Sequence, residues 1–193
     1  MPRKPRTESS TGVYHLMARG VNKKRIFHVK RDYEAFLALV SEYCRELNVQ
    51  VYHYCILPNH THFVLRADSL AVLSRFGYIL HRRYAYYYCK AHPWSEQVFR
   101  RHFLSKPIGD DTYLLECGRY VERNPIEAGL AKAPEDYPYS SYAFYANQEP
   151  NPLLTESPLY LTLGRTPQER MAAYKVYVCH ERMKEAGGLT VPF

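Results

Sequence analysis

The sequence predicts an α+β sandwich, in which an antiparallel-rich sheet is covered by helices on one face and followed by a helical tail. Segments rich in β-branched and aromatic residues are separated by long runs with the period of an amphipathic helix. Two of the strand-like segments flank a Pro-Asn turn, as a hairpin requires. The order along the chain is strand, helix, strand, strand, helix, strand, helix, then a tail.

Residues 12–19, Gly-Val-Tyr-His-Leu-Met-Ala-Arg, form the first strand of this reading. From Lys30 to Leu47 the residues Tyr33, Phe36, Leu37, Val40 and Cys44 recur at helical spacing. Val49–Leu57 reads as the second strand, Pro58-Asn59 as the turn, and His60–Arg66 as the returning third strand. Asp68-Ser69 caps a helix from about Leu70 to Lys90, and a fourth, very basic strand is expected around Val98–Lys106. Asp110-Asp111 opens a helix carrying Leu114, Leu115, Cys117 and Val121. Asn124-Pro125-Ile126-Glu127 then has the signature of a new helical turn: an N-cap, proline first and glutamate third. The stretch from Lys132 to Pro158 is crowded with Pro, Tyr, Ser and Asn, which predicts an extended, surface-hugging segment. Thr166-Pro167-Gln168-Glu169 repeats the capping signature and starts a last helix to about Lys184. Residues 1–150 are expected to form the main domain, and 151–193 an extension with one helix.

A chain of 193 residues, 46% of them hydrophobic, can bury a substantial core. Its 26 Lys and Arg against 19 Asp and Glu give a formal charge of +7 and favour a polyanionic partner, nucleic acid or an anionic membrane face. No stretch is apolar enough to span a bilayer and no signal-peptide pattern opens the chain, so no membrane association is expected. The basic start, Pro2-Arg3-Lys4-Pro5-Arg6, reads as a flexible arm, either merely solvated or touching DNA through Arg3 and Lys4. The five cysteines are far apart and form no Cys-x-x-Cys pair, so neither a disulfide framework nor a structural zinc site is indicated, and a cytoplasmic location is expected.

Four groups of residues carry candidate chemistry. His60 and His62, two apart on a strand, project to the same face and can converge on one divalent metal ion. Among nine histidines such a pair is weakly specific, and two partly exposed histidines on a strand edge is the plainer reading. Tyr120 lies on its helix beside the apolar stripe of Leu114, Cys117 and Val121, where its hydroxyl can reach a site on the sheet. A tyrosine nucleophile needs help, because its phenol has a pKa near 10. Asn124, one turn further on, can complete a metal shell through its amide oxygen or cap the turn that Pro125 begins. The basic groups are Arg82-Arg83, ahead of Tyr84, Tyr86, Tyr87 and Tyr88, and Arg100-Arg101 with His102, Phe103 and Lys106. Cations mixed with aromatic rings suit single-stranded nucleic acid, while a solvated helix face with core tyrosines competes as a reading for Arg82-Arg83.

Two of these segments resemble a known family. Tyr54-Cys55-Ile56-Leu57-Pro58-Asn59-His60-Thr61-His62-Phe63 resembles the His-hydrophobe-His strand of single-tyrosine transposases, and Arg119-Tyr120-Val121-Glu122-Arg123-Asn124-Pro125-Ile126-Glu127-Ala128-Gly129-Leu130 resembles their catalytic helix. Tyr14-His15-Leu16, Arg19-Gly20-Val21-Asn22 and Tyr137-Pro138-Tyr139-Ser140-Ser141-Tyr142 fit as well, so the resemblance spans about residues 12–145. It is to insertion-sequence 200/605-like transposases, and within them to the branch associated with repetitive extragenic palindromes (REP). The fold implied is a ferredoxin/RRM-like sandwich with a central antiparallel-rich sheet of four to five strands. By resemblance, His60 and His62 hold magnesium or manganese, Asn124 is the third ligand, and Tyr120 attacks DNA to leave a 5′-phosphotyrosine and a free 3′-hydroxyl. Arg19 joins Arg82, Arg83, Arg100, Arg101, Lys106, Arg3 and Lys4 as an expected DNA contact. The resemblance also implies single-stranded DNA with imperfect palindromic hairpins as partner, a short guide tetranucleotide, no nucleotide cofactor, a monomer or homodimer, and a bacterial, nucleoid-associated location. The middle of the histidine motif is usually bulky and apolar, and here it is Thr61, whose side chain is expected on the other side of the sheet. A hairpin binder that no longer cuts and an RNA-binding sheet are the competing readings, and the site decides between them.

Overall fold

Side chains alternate across a strand, and both sets are apolar in the central strands of this protein. The computed structural model describes residues 6–92, 97–100 and 102–180. Strands β1 (Val13–Arg19), β2 (Gln50–Leu57), β3 (His60–Arg66) and β4 (Leu104–Ile108) pair antiparallel in the order β2-β3-β1-β4. The helices are α1 (Lys30–Leu47), α2 (Leu70–Ala91), α3 (Asp111–Glu127), α4 (Tyr142–Asn147), α5 (Pro158–Leu161) and α6 (Pro167–Cys179). On one face Tyr14, Leu16, Ile56, Phe63 and Leu65 meet Phe36 and Val40 of α1 and Phe76 and Leu80 of α2. On the other, Val13, Cys55, Val64 and Ile108 meet Leu114, Cys117 and Val121 of α3. The α+β class and the antiparallel four-stranded sheet are as expected, but helices cover both faces rather than one. The cause is the second apolar set on β1, β2 and β3, which must also leave water.

Helix α1, the β2–β3 hairpin, and the caps of α2 and α3 follow the sequence closely. Ser69 accepts a hydrogen bond from the Val72 amide at 3.3 Å and Asp110 one from the Tyr113 amide at 2.8 Å. The fourth strand is shorter than expected. Phe99 makes only an isolated bridge to Gly20, and the ladder starts at Leu104, because Val98, Phe99 and Phe103 turn into the main core. Helix α3 runs unbroken through Pro125, so Asn124 is not the cap of a new turn. The stretch expected to be extended is so in part but includes α4, which buries Tyr145 completely, and Tyr142, Tyr145, Tyr160, Tyr174 and Val178 form a small third core. The last helix begins at Pro167 as predicted, with Thr166 and Glu169 in a reciprocal cap.

The extension is bound to α3 by a buried carboxylate. A register shift between Val51 and His53 in β2 lets both Tyr52 and His53 face α3. His53 Nδ1 lies 3.0 Å from Glu122 Oε1, and Ser141 Oγ donates to that oxygen at 2.6 Å. Tyr174 Oη of α6 donates to Oε2 at 2.7 Å. Glu122 is fully buried, so these partners replace all of its water. Gly118, one turn before, leaves room for the ring: a Cβ there would stand 2.7 Å from His53 Nε2. Arg119 and Arg123 add a second tie by donating to the His180 and Val178 carbonyls at the end of α6. Replacing Glu122→Ala strands the partners of a buried charge, so urea unfolding should show a loss of about 3 kcal/mol; a loss under about 0.5 kcal/mol, the level of an ordinary surface change, would contradict this role.

Candidate active site

The face beneath α3 changes character along the strands. Towards the start of β1 it is apolar, with Val13, Val64 and Ile108. Towards its end come His15 opposite Lys106, His62 opposite Met17, and His60 opposite Arg19. Because β3 is an inner strand, His62 is fully buried rather than at an exposed sheet edge. The rings of His60 and His62 are 5.1 Å apart between centroids. Tyr120 of α3, half-buried, meets His62 and His15 on this face, its ring 5.7 Å from the first and 6.0 Å from the second, edge-on to both. Thr61 is buried on the opposite face, as its alternation with the histidines requires.

Two neighbours bond the paired imidazoles. Asn59 donates through Nδ2 to the Lys23 carbonyl at 3.2 Å, which turns its Oδ1 towards His60 Nδ1 at 2.5 Å. An amide oxygen only accepts, so His60 carries its proton on Nδ1 and keeps a lone pair on Nε2. His15 Nε2 lies 3.0 Å from His62 Nδ1, and the two rings stack. Burial first, and then the charge of Arg19, lowers His60 to about 4. Burial also lowers His62 well below the ordinary imidazole value, with His15, His60 and Arg19 adding to it. His15 falls to about 3 through burial and the charge of Lys106. All three rings are therefore neutral at physiological pH and are donors of lone pairs rather than charges.

Tyr120 and Asn124 occupy successive turns of α3. Burial raises the Tyr120 phenol above its usual value, the charge of Glu127 raises it further, and a hydrogen bond from Asn124 opposes them. Asn124 is buried and donates through Nδ2 to the Tyr120 carbonyl at 2.8 Å, which leaves its Oδ1 as the atom it has for a ligand. Among the described residues no three His, Cys, Asp or Glu are grouped to hold a metal ion. The two neutral imidazoles of His60 and His62 suit a divalent cation, and Asn124 lies one turn beyond Tyr120 on α3.

The profile of the family described as "Transposase IS200 like" matches residues 8–124, a span that includes every residue of the cluster from His15 to Asn124. The chain belongs to the IS200-like transposase family. A protein of Haemophilus influenzae designated a REP-associated tyrosine transposase is 25% identical over 117 residues, 55% of this chain and 66% of that protein, so the chain spans just under two thirds of that relative. A REP-associated tyrosine transposase solved with a REP hairpin overlays at a TM-score of 0.61 with 13% identity, covering 82% of this chain and 93% of that one, and the two share a fold.

In this IS200-like chain the expected DNA contacts divide by position. Arg19 and Lys106 lie beside the imidazoles, facing α3. Arg82 and Arg100 line a cleft on the α2 side. Arg83 instead bonds Tyr43 on α1 at 3.0 Å, and Tyr84 and Tyr88 are core residues, leaving Tyr86 as the exposed ring of that run. Arg3, Lys4 and Arg101 lie outside the described residues. No helix among the described residues is long and apolar enough to cross a membrane. The sequence assigns Asn59 to a turn only and gives His15 no role at the site. Asn59 stood next to the histidine motif, and His15 was visible only as part of a matching segment.

The tautomer of His60 can be checked without any ligand. Long-range nitrogen–proton NMR correlations on the metal-free protein should place the His60 proton on Nδ1, and Asn59→Ala should give a mixture of tautomers. A predominant Nε2–H form in the parent protein would contradict the assignment.

Proposed function

We propose that this chain is a metal-dependent endonuclease and strand transferase that cuts single-stranded DNA beside imperfect palindromic hairpins, with Tyr120 as nucleophile. The observation that carries this reading is the Tyr120 ring, brought by a separate helix to 5.7 Å from His62, whose own ring lies 5.1 Å from His60. Tyr120 Oη attacks the phosphorus and the bond to the 3′ oxygen breaks. The phenol loses its proton, the departing oxygen gains one, and the products are a 5′-phosphotyrosine and a 3′-hydroxyl. Strand joining is the reverse, with a 3′-hydroxyl displacing Tyr120, so no nucleotide cofactor is required.

A neutral, half-buried phenol is a poor nucleophile, and each neighbouring group answers part of that difficulty. His60 and His62 would bind magnesium or manganese through ring nitrogens, with Asn124 Oδ1 as third ligand, and the ion would supply Lewis-acid polarisation of the phosphate. Asn59 holds His60 in the ligating tautomer, and His15 orients His62 by its ring hydrogen bond. Arg19 and Lys106, beside the imidazoles, neutralise the phosphate and orient it. The solved relative bound to a REP hairpin supports the choice of a hairpin substrate. An RNA-binding sheet is less favoured, since it needs an open face and α3 packs over this one. A binder that no longer cuts has no use for Tyr120 beside the histidines.

The test is incubation with a labelled single-stranded hairpin, with manganese, magnesium or chelator, followed by denaturing gels. The parent protein should form a metal-dependent covalent adduct. Tyr120→Phe should abolish it, and His60→Ala should lower its rate by at least about a hundredfold. Tight hairpin binding without cleavage in either metal would replace this reading with the non-cutting binder.

A further inference from the structure

On the α1/α2 side of the sheet, opposite α3, a cleft of about 590 Å³ opens between α2 and the segment that leads into β4. Its size is that of a small-molecule site. None of its lining residues among the described ones is acidic, while Arg6, Arg82 and Arg100 bring three guanidinium groups to it. Tyr78 stands at the rim, 62% exposed. The inner wall is made of rings: His81 packs 4.4 Å from Phe99 and 5.7 Å from Phe103 between centroids.

The wall is pre-organised. Arg6 lies 3.9 Å over the Phe103 ring and donates to Ser74 Oγ at 3.1 Å, so this cation is placed before any ligand arrives. Phe103 fits against α2 only because residue 77 is glycine, where a Cβ would come within 2.6 Å of the ring. Burial lowers His81 to about 4, so at physiological pH its imidazole offers one N–H and one lone pair, not a charge. A cationic rim around a neutral ring-lined wall fits a ligand that joins a phosphate to a flat heteroaromatic ring. That chemistry is a nucleotide, either free or part of a strand.

Continuity with the active site favours the strand. Phe99 of the cleft wall bridges Gly20, and the Arg100 amide donates to the Arg19 carbonyl at 2.8 Å. Arg19 in turn lies opposite His60. Two strand spacings, about 10 Å, therefore separate the cleft wall from the histidine strand around the β4 edge. We propose that the cleft binds one unpaired nucleotide of the same single strand that is cut, its base on the His81–Phe99–Phe103 wall and its phosphate on Arg82 and Arg100. The proposal rests on the nuclease reading for the identity of the strand, though not for the chemistry of the cleft.

The test uses the full chain carrying Tyr120→Phe, so that only binding is read, and single-stranded hairpins with one abasic position moved stepwise along the flanks. One position should weaken binding about tenfold when its base is removed, the size of one stacked base. In Tyr78→Ala, Arg82→Ala and His81→Ala proteins that position should lose its penalty, while the hairpin stem is bound as before. Arg82→Ala and Tyr78→Ala change exposed side chains and keep the test decisive should His81→Ala fold poorly. No sensitive position, or a penalty unchanged in all three variants, overturns the proposal. So does adenosine monophosphate that binds to the cleft while no position in the strand is sensitive, which assigns the cleft to a free nucleotide. A sensitive position in a protein that never cuts would sink the nuclease reading and leave the cleft assignment standing.

Discussion

A carboxylate with no access to water can stay in a protein interior only if its lone pairs are filled, and Glu122 meets that condition by drawing three elements together. His53 comes from β2, Ser141 from the segment before α4, and Tyr174 from α6. The helix that carries Glu122 also carries Tyr120, two residues earlier, so the bonds that seat one also orient the other. Since Tyr120 meets the histidines only across a helix–sheet interface, a rotation of α3 about its axis would move the phenol away from them. Helix α6 is thus tied to α3, through Glu122 and through the arginines that bond the end of α6.

The second constraint is dryness at the sheet surface. Burial keeps His15, His60 and His62 neutral and raises the Tyr120 phenol, so the candidate site has lone pairs and a hydroxyl but no charge of its own among them. Positive charge comes from Arg19 and Lys106, one at each side of the imidazoles along β1 and β4.

Much of this was legible in the sequence where local rules act alone. Lys30–Leu47 has helical spacing and is the helix, and Pro58-Asn59 between two β-rich runs is the hairpin. Thr166 and Glu169 form the cap their spacing implies. What stayed hidden depends on contacts between distant segments. The shift in β2 that turns Tyr52 to the α3 side beside His53 leaves no mark on the alternation pattern, and the pairing of His53 with Glu122 requires β2 and α3 to be in contact. Pro125 carries a strong start signal, yet the interface holds α3 continuous, since the missing amide bond falls in its last turn. The tyrosine-rich stretch around Tyr142 and Tyr145 has turn composition, but its rings find a core only once α6 folds over them. His15 could not be singled out, because its meeting with His62 requires β1 and β3 to be neighbours.

Where a metal sits relative to Tyr120 is the most direct test of the proposed chemistry. A crystal structure of the Tyr120→Phe protein with a single-stranded hairpin and manganese, collected at the manganese edge, would locate the ion by its anomalous signal. One ion bound by His60 and His62 Nε2 and by Asn124 Oδ1, with a phosphate facing the ring at position 120, is the predicted result. Manganese bound elsewhere, or held without either histidine while DNA occupies the site, would contradict it.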